Sequence, residues 1–197
     1  MLNNFKQITE FIQFDSEDDF YFLQIIKRKK ENPELEANAR VIRTYCIRSK
    51  EHLSDKMNEI ISLCNTNNAR AYINLNRRSF HKIALYTLKK ITDQIISEDY
   101  KAVRNAFESV CGIHGSGKDK YWIIDVDSKD DIDAVIEMNN IIYDINKNCL
   151  PEGDKLAMVI KTKNGYHLIT KPFNVSQWSG NGIYDLHKNN PTVLYVS

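Results

Sequence analysis

The chain has 197 residues, enough for one well-buried core or two small lobes without covalent staples. Its 27 Lys and Arg stand against 26 Asp and Glu, a net charge of +1, so no whole-molecule field draws in nucleic acid or an acidic membrane. Cys46, Cys64, Cys111 and Cys149 lack C-x-x-C spacing, and no stretch approaches about 18 uninterrupted apolar residues or reads as a secretory leader, which argues against zinc, export and membrane spanning. The expectation is a cytoplasmic protein with reduced core thiols and no membrane partner.

After a polar start, the acidic cluster at 15–19 leads into FYFLQII at 20–26, a β-rich run that empties into the basic tetrad 27–30. Beside Glu31, Asn32 and Pro33 that tetrad reads as a solvated turn rather than a phosphate contact. VIRTYCIR at 41–48 alternates as a strand, Ser49 suits a helix cap, and Leu53, Met57, Ile60, Ile61 and Cys64 recur at helical spacing. AYINLN at 71–76 alternates again, so 41–76 reads as strand, helix, strand, with parallel pairing of the two strands expected.

At that strand's exit stand Asn74, Asn76, Arg77 and Arg78. Ligands collect at such exits in α/β folds, and two guanidinium forks match phosphate oxygens; surface pairing with helix carboxylates is the equal alternative. A helix follows with Phe80, Ile83, Leu88, Ile91 and Ile95 on one face, and Ser97 caps another through Tyr100, Val103, Phe107 and Val110. The loop GIHGSGKD at 112–119 nearly spells G-x-x-x-x-G-K-[ST], with Gly112, Gly117 and Lys118 in place. Asp119 replaces the hydroxyl, and helix precedes strand instead of the reverse, so a nucleoside-triphosphatase loop is rejected.

Residues 121–127, YWIIDVD, form an apolar run too short for a helix that ends in two carboxylates. As a strand it points Asp125 and Asp127 to one side, roughly 7 Å apart at their backbone origins, a pair able to share a divalent cation. Two acids solvating a strand end is the plain alternative. Ser128 with Asp131 opens a helix carrying Ile132, Val135, Met138, Ile142 and Ile145. Segments 155–163 and 166–173 flank Asn164-Gly165, a hairpin signal for a two-residue turn with Lys163 facing Tyr166, Thr162 facing His167 and Ile160 facing Ile169. His167 then shares a face with Thr162, Ile160 and Ile169. Ile183 and Tyr184 approach Asp185, Lys188 and Asn189 follow, and 192–196 is a last strand.

In order, then, the second half offers Asp125 and Asp127 at a strand end, a basic hairpin with Gly165-Tyr166-His167, and Asp185. Carboxylates for magnesium or manganese and a hydrogen-bonding group for a triphosphate are what two-metal phosphoryl transfer needs. WIIDVD, NGYHLI and IYD, with DLHKNNPTVLY at 185–195, resemble the motifs of the archaeo-eukaryotic primase superfamily, which includes primase-polymerases and the polymerase domain of bacterial DNA ligases. The resemblance implies Asp125, Asp127 and Asp185 as metal ligands for Mg2+ or Mn2+, and His167 at the incoming nucleotide's phosphates. Lys163, Lys188 and Asn189 are weaker carry-overs to the nucleotide site.

It also implies an α/β (α+β) fold in one unit, an α/β lobe at 1–118 beside an RRM-like catalytic sheet at 119–197. The implied function is a nucleotidyltransferase that joins nucleotides into a primer on a single-stranded nucleic-acid template, with a replication protein as a further partner. A non-catalytic module binding nucleic acid or a replication partner, and a metal-dependent nuclease, are the competing readings. Convergence of Asp125, Asp127, Asp185 and His167 in one groove, with Arg77 or Lys163 beside them, is the geometric test that separates them.

Overall fold

The structure is a computed structural model that describes residues 1–115, 117, 119–128 and 130–197; Lys118 of the phosphate-loop-like pattern lies outside them. In chain order the elements are β1 (Leu2–Asn3), α1 (Phe5–Phe11), β2 (Asp19–Arg28), β3 (Ala39–Ile47), α2 (Lys50–Asn67), β4 (Arg70–Ile73), β5 (Arg78–Ser79) and α3 (Phe80–Ile96). There follow α4 (Tyr100–Val103), α5 (Ala106–Ile113), β6 (Trp122–Asp127), α6 (Asp131–Asn148), β7 (Leu156–Lys161), β8 (Gly165–Thr170), β9 (Asp185–His187) and β10 (Thr192–Val196). The fold is mixed α and β with two antiparallel sheets. Among the described residues no helix is long and apolar enough to cross a membrane. The four cysteines are unpaired, and three of them are buried.

The first sheet runs β1-β10-β4-β2-β3, with β5 added to β2. Its central strand β2 is apolar on both faces because both are covered. Tyr21, Leu23 and Ile25 join a core with Ile8 and Ile12 of α1 and with Leu53, Ile60 and Cys64 of α2, while Phe20 and Phe22 meet Ile83, Val110 and Cys111. Each fully buried Leu or Ile contributes about 1.5–3 kcal/mol. Helix α2 begins where Ser49 accepts the His52 amide at 3.0 Å and ends at Asn68, whose φ of 47° is left-handed.

The strand, helix, strand reading of 41–76 needs one correction. β3 and β4 run in the same direction but do not pair, because β2 lies between them, antiparallel to each. A helical crossover needs only to clear the strand it skips, and β2, already hydrophobic on both faces, fills the gap.

Two helix expectations also change. Ser97 ends α3 instead of opening the next helix, its hydroxyl donating to the Asp93 carbonyl at 2.9 Å, and the expected continuous helix divides into α4 and α5. Of the apolar stripe expected on α3 only Ile83 is buried; Leu88 and Ile95 are exposed.

The second sheet runs β7-β8-β6-β9. Here too a helix, α6, joins two same-direction strands, β6 and β7, across an antiparallel one, β8. Asp130 caps α6 by accepting the Ile132 and Asp133 amides, so the cap is this carboxylate and not Ser128. Ile124, Val126 and Leu168 pack on Met138, Ile141 and Ile145 of α6. Ile123, Ile160 and Ile169 point the other way, into the core of the first sheet. The last strand, β10, pairs with β1 and β4 and so belongs to the first sheet, although 119–197 was expected to form one subdomain.

The hairpin register differs from expectation by two residues: Lys161 faces Tyr166 and Ile160 faces His167. Gly165 does not serve as a left-handed turn residue. It opens β8 opposite Asp127, where an added Cβ would lie 2.0 Å from the Val126 carbonyl oxygen, so the glycine is needed for close strand approach. A slip of two preserves every side chain's face, and His167 therefore stays with Ile160 and Ile169.

Candidate functional site

Register places the predicted acids. Across the second sheet, Ile160 of β7, His167 of β8, Asp125 of β6 and Asp185 of β9 are directly opposed and form one row. Opposed residues in antiparallel pairs have Cα atoms about 4.5–5.5 Å apart, so Asp125 stands within reach of His167 on one side and of Asp185 on the other. Asp127 follows two residues along β6 on the same side. This side is opposite α6, because the intervening Ile124 and Val126 are the residues that pack on the helix.

The acids are short of protein partners. Asp125 has His167 Nε2 at 3.6 Å, and among the described residues no hydrogen bond or ion pair reaches the Asp127 or Asp185 carboxylate. Burial, then the neighbouring Asp127 and Asp185, push the Asp125 carboxyl above its ordinary pKa, with His187 opposing. His187, next but one to Asp185 on β9, faces Ile123 of the same side. The sequence reading passed over it, although the spacing D-x-H on a strand assigns both residues to one face.

His167 is held by Thr192, whose Oγ1 lies 2.8 Å from Nδ1. Burial and the nearby His187 lower its pKa to about 4, so the ring is neutral at pH 7. In the tautomer where Nδ1 accepts the threonine proton, Nε2 carries the ring hydrogen on the side of Asp125.

A cavity of about 200 Å³ opens over this row, and Asp125, Asp127 and His167 line it. Its lining from the first sheet is cationic, with Arg28, Lys30 and Arg70, and Lys163 joins them from the β7–β8 hairpin. Arg28 and Lys30 come from the basic tetrad that reads in the sequence as a solvated turn; they are exposed at the β2–β3 turn as expected, and there they also line the cavity. Glu31 organises this wall. Its carboxylate accepts from Arg70 Nε at 2.9 Å and from Lys163 Nζ at 3.0 Å, and these contacts, Arg70 foremost, hold its pKa down at about 2 despite burial. Lys163 sits on the second sheet's hairpin and Glu31 beside the first sheet, so their bond ties the two walls together. Beyond Asp127 the cavity opens into a larger one of about 700 Å³, lined by Ser128, Asp131, Lys161 and Asn164.

Four other expected site residues lie elsewhere. Arg77 is 3% exposed and pairs with Asp15 at 2.9 Å, Asp19 at 3.2 Å and Asp119 at 2.5 Å. Arg78 is wholly buried; its guanidinium donates to the carbonyls of Asn76 and Cys111 and to Asn189 Oδ1, and burial lowers its pKa to about 10. Asn189 also donates to the Gly112 and Ile113 carbonyls, latching the β9–β10 connection to α5. Lys188 lies over the Trp122 ring at 5.1 Å, at the edge of the sheet face that packs on α6. These two arginines and Asn189 act as supports because their bonds go to the protein itself, with Arg77 Nε the one buried guanidinium donor among the described residues left without a partner.

As the side chains stand, no three His, Cys, Asp or Glu groups among the described residues enclose a cation. The donor set nevertheless fits a hard divalent ion: carboxylates on adjacent strand positions, with oxygens free of other cations, and at Asp125 a pKa raised by burial first and by the neighbouring acids second. No family model, curated protein or solved structure matches the chain.

Proposed function

We propose that the chain is a primase-polymerase-like nucleotidyltransferase that joins nucleotides on a single-stranded nucleic-acid template. In this reading Asp125, Asp127 and Asp185 hold Mg2+ or Mn2+, and His167 and Lys163 meet the triphosphate. The observation that carries it is the in-register row His167, Asp125, Asp185, of which His167 and Asp125, with Asp127, line one cavity together with Arg28, Lys30, Arg70 and Lys163, while Asp185 stands at the row's outer end, outside that lining. The strand order β7-β8-β6-β9 with α6 across one face supports the RRM-like description of the catalytic half. Resemblance of the WIIDVD, NGYHLI and IYD motifs to the primase superfamily points the same way.

Each group has work suited to its chemistry. Arg28 and Lys30 from the first sheet, and Lys163 from the β7–β8 hairpin, oppose phosphate charge beside the acids. His167, neutral and fixed by Thr192, donates from Nε2 to a phosphate oxygen without adding charge beside the carboxylates. The three carboxylates fix where a cation sits, and partial burial strengthens the field at Asp125, while Asp127 and Asp185 are exposed. A divalent cation bound there supplies Lewis acidity at the attacked phosphorus and charge to balance the leaving pyrophosphate.

The test is dinucleotide synthesis and primer extension on single-stranded templates with magnesium or manganese. Wild type should give product, and Asp125→Ala and Asp127→Ala should give none. Absence of product from the wild type across DNA and RNA templates, deoxy- and ribonucleotides and both metals would sink the proposal. Template cleavage instead of extension, lost in the same variants, would replace it with a nuclease.

A further inference from the structure

Strand β2 lies between β4 and β3 in the first sheet, and Gln24 interrupts its apolar run FYFLQII. Gln24 is half-buried, so its carboxamide is open to solvent or to a ligand. Among the described residues none bonds the Gln24 side chain. It stands in register between Thr44 of β3 and Tyr72 of β4, with Val193 of β10 beyond Tyr72.

Two cavities meet at Tyr72. One is the 200 Å³ cavity with Asp125, His167 and the cationic wall. The other, of about 130 Å³, is lined by Phe22, Gln24, Tyr72, Asn74 and Asn190, without a charged side chain. The second has the volume of about four liquid waters, room for one small heteroaromatic ring. Tyr72 is steadied by Arg28, whose guanidinium donates to its hydroxyl at 3.3 Å. So an ionic cavity with carboxylates and cations adjoins a neutral cavity with an aromatic ring and free carboxamide edges, and the residue between them is held in place.

We infer that the neutral cavity takes the base of the nucleotide whose phosphates occupy the ionic one, the base lying against Tyr72 with its edge hydrogen-bonded by the Gln24 carboxamide. This rests on the nucleotidyltransferase reading. A carboxamide offers one donor group and one acceptor, the complement of a base edge, and turning it over exchanges the two. Asn74 is less available, since it already donates to the Asn189 carbonyl at 2.7 Å and accepts from the Asn76 amide. Gln24 and Tyr72 are therefore the residues that recognise the base.

Calorimetric titration of the full chain with magnesium separates the two cavities, using ATP and CTP against inorganic tripolyphosphate. Wild type should bind the nucleotides about tenfold or more tightly than tripolyphosphate, the scale of one aromatic stack. Gln24→Met should erase most of that preference while leaving tripolyphosphate affinity unchanged; Tyr72→Leu, which also releases Arg28 beside the phosphates, is read by the ratio of nucleotide to tripolyphosphate affinity, which should fall likewise. Gln24→Met should also melt no lower than wild type, because it removes an unpaired amide, and a structural role would lower it. The inference is overturned if wild type binds tripolyphosphate as tightly as ATP, or if both variants keep the nucleotide preference; in either case the phosphate reading stands. If neither ligand binds, the phosphate reading falls and the base cavity with it.

Discussion

The two sheets are built alike at one point and used differently. In each, a helix carries the chain from one strand to another across an intervening antiparallel strand: β3-α2-β4 across β2, and β6-α6-β7 across β8. Polar residues cluster just beyond β4 and at the end of β6. After β4, Asn74, Asn76, Arg77 and Arg78 are buried and bonded to carbonyls, carboxamides and carboxylates of the protein. At the end of β6, Asp125 and Asp127 stand beside Asp185 with repulsion in place of partners. A polar cluster that satisfies itself holds a fold together, and one left unsatisfied is available to a ligand.

That contrast fixes the sign of two substitutions. Arg78→Met should be the more damaging. It leaves the Asn76 and Cys111 carbonyls and the Asn189 carboxamide without their donor at a fully buried position. Relief of the desolvation that lowers the Arg78 pKa offsets part of the loss, so a net cost of about 3 kcal/mol is expected. In a chain of this size that is a fall in Tm of about 6–12 °C by thermal circular dichroism. An unchanged Tm would remove the arginine from the structural side of the comparison.

Asp125→Asn should move stability the other way. A carboxyl whose pKa is raised in the fold is destabilising once ionised, so the neutral amide should raise Tm at pH 7. Millimolar magnesium or manganese should stabilise the wild type more than the variant, since only the former has the repulsion to relieve. A variant that melts lower than wild type, or that gains as much from the metal, would show Asp125 to be a structural group.

Period and capping made much of this legible in the sequence. The runs at 20–26, 41–48 and 121–127, the Ser49 cap and the same-side placement of Asp125 and Asp127 need only local rules. Strand adjacency does not follow from local rules. Nothing in VIRTYCIR or AYINLN tells that β2 will come between them, because a doubly covered strand carries no alternation to mark its position. The short α1, Phe5–Phe11, lacks the length for a clear period and passed as a polar start. The cationic wall was hidden for a related reason: Arg28, Arg70 and Lys163 lie far apart in sequence, and only the meeting of two hairpin turns at Glu31 brings them together. Arg77 and Arg78 show the reverse error, since adjacency in sequence suggested a phosphate fork and burial made them struts.

The smallest effect expected concerns pH and reads the same contrast at His167. Its pKa in the fold, about 4, lies below the ordinary 6.5 because burial and His187 disfavour the charged ring. Between those values the unfolded chain binds the proton and the folded chain does not. Stability contributed by the neutral ring is therefore whole above pH 6.5 and is lost as pH falls toward 4. Glu31 adds a second loss of the same sign at lower pH, as its carboxylate, held at about 2, is protonated in the unfolded chain from about 4.5 downward. His167→Gln keeps a side chain able to bond Thr192 and removes the titration. Urea unfolding at pH 7, 6 and 5 should show the wild type losing stability over this range and the variant losing less. Equal losses in the two would mean that the ring takes up its proton in the folded state beside Asp125, in which case it would meet a triphosphate as a cation and not as a neutral donor.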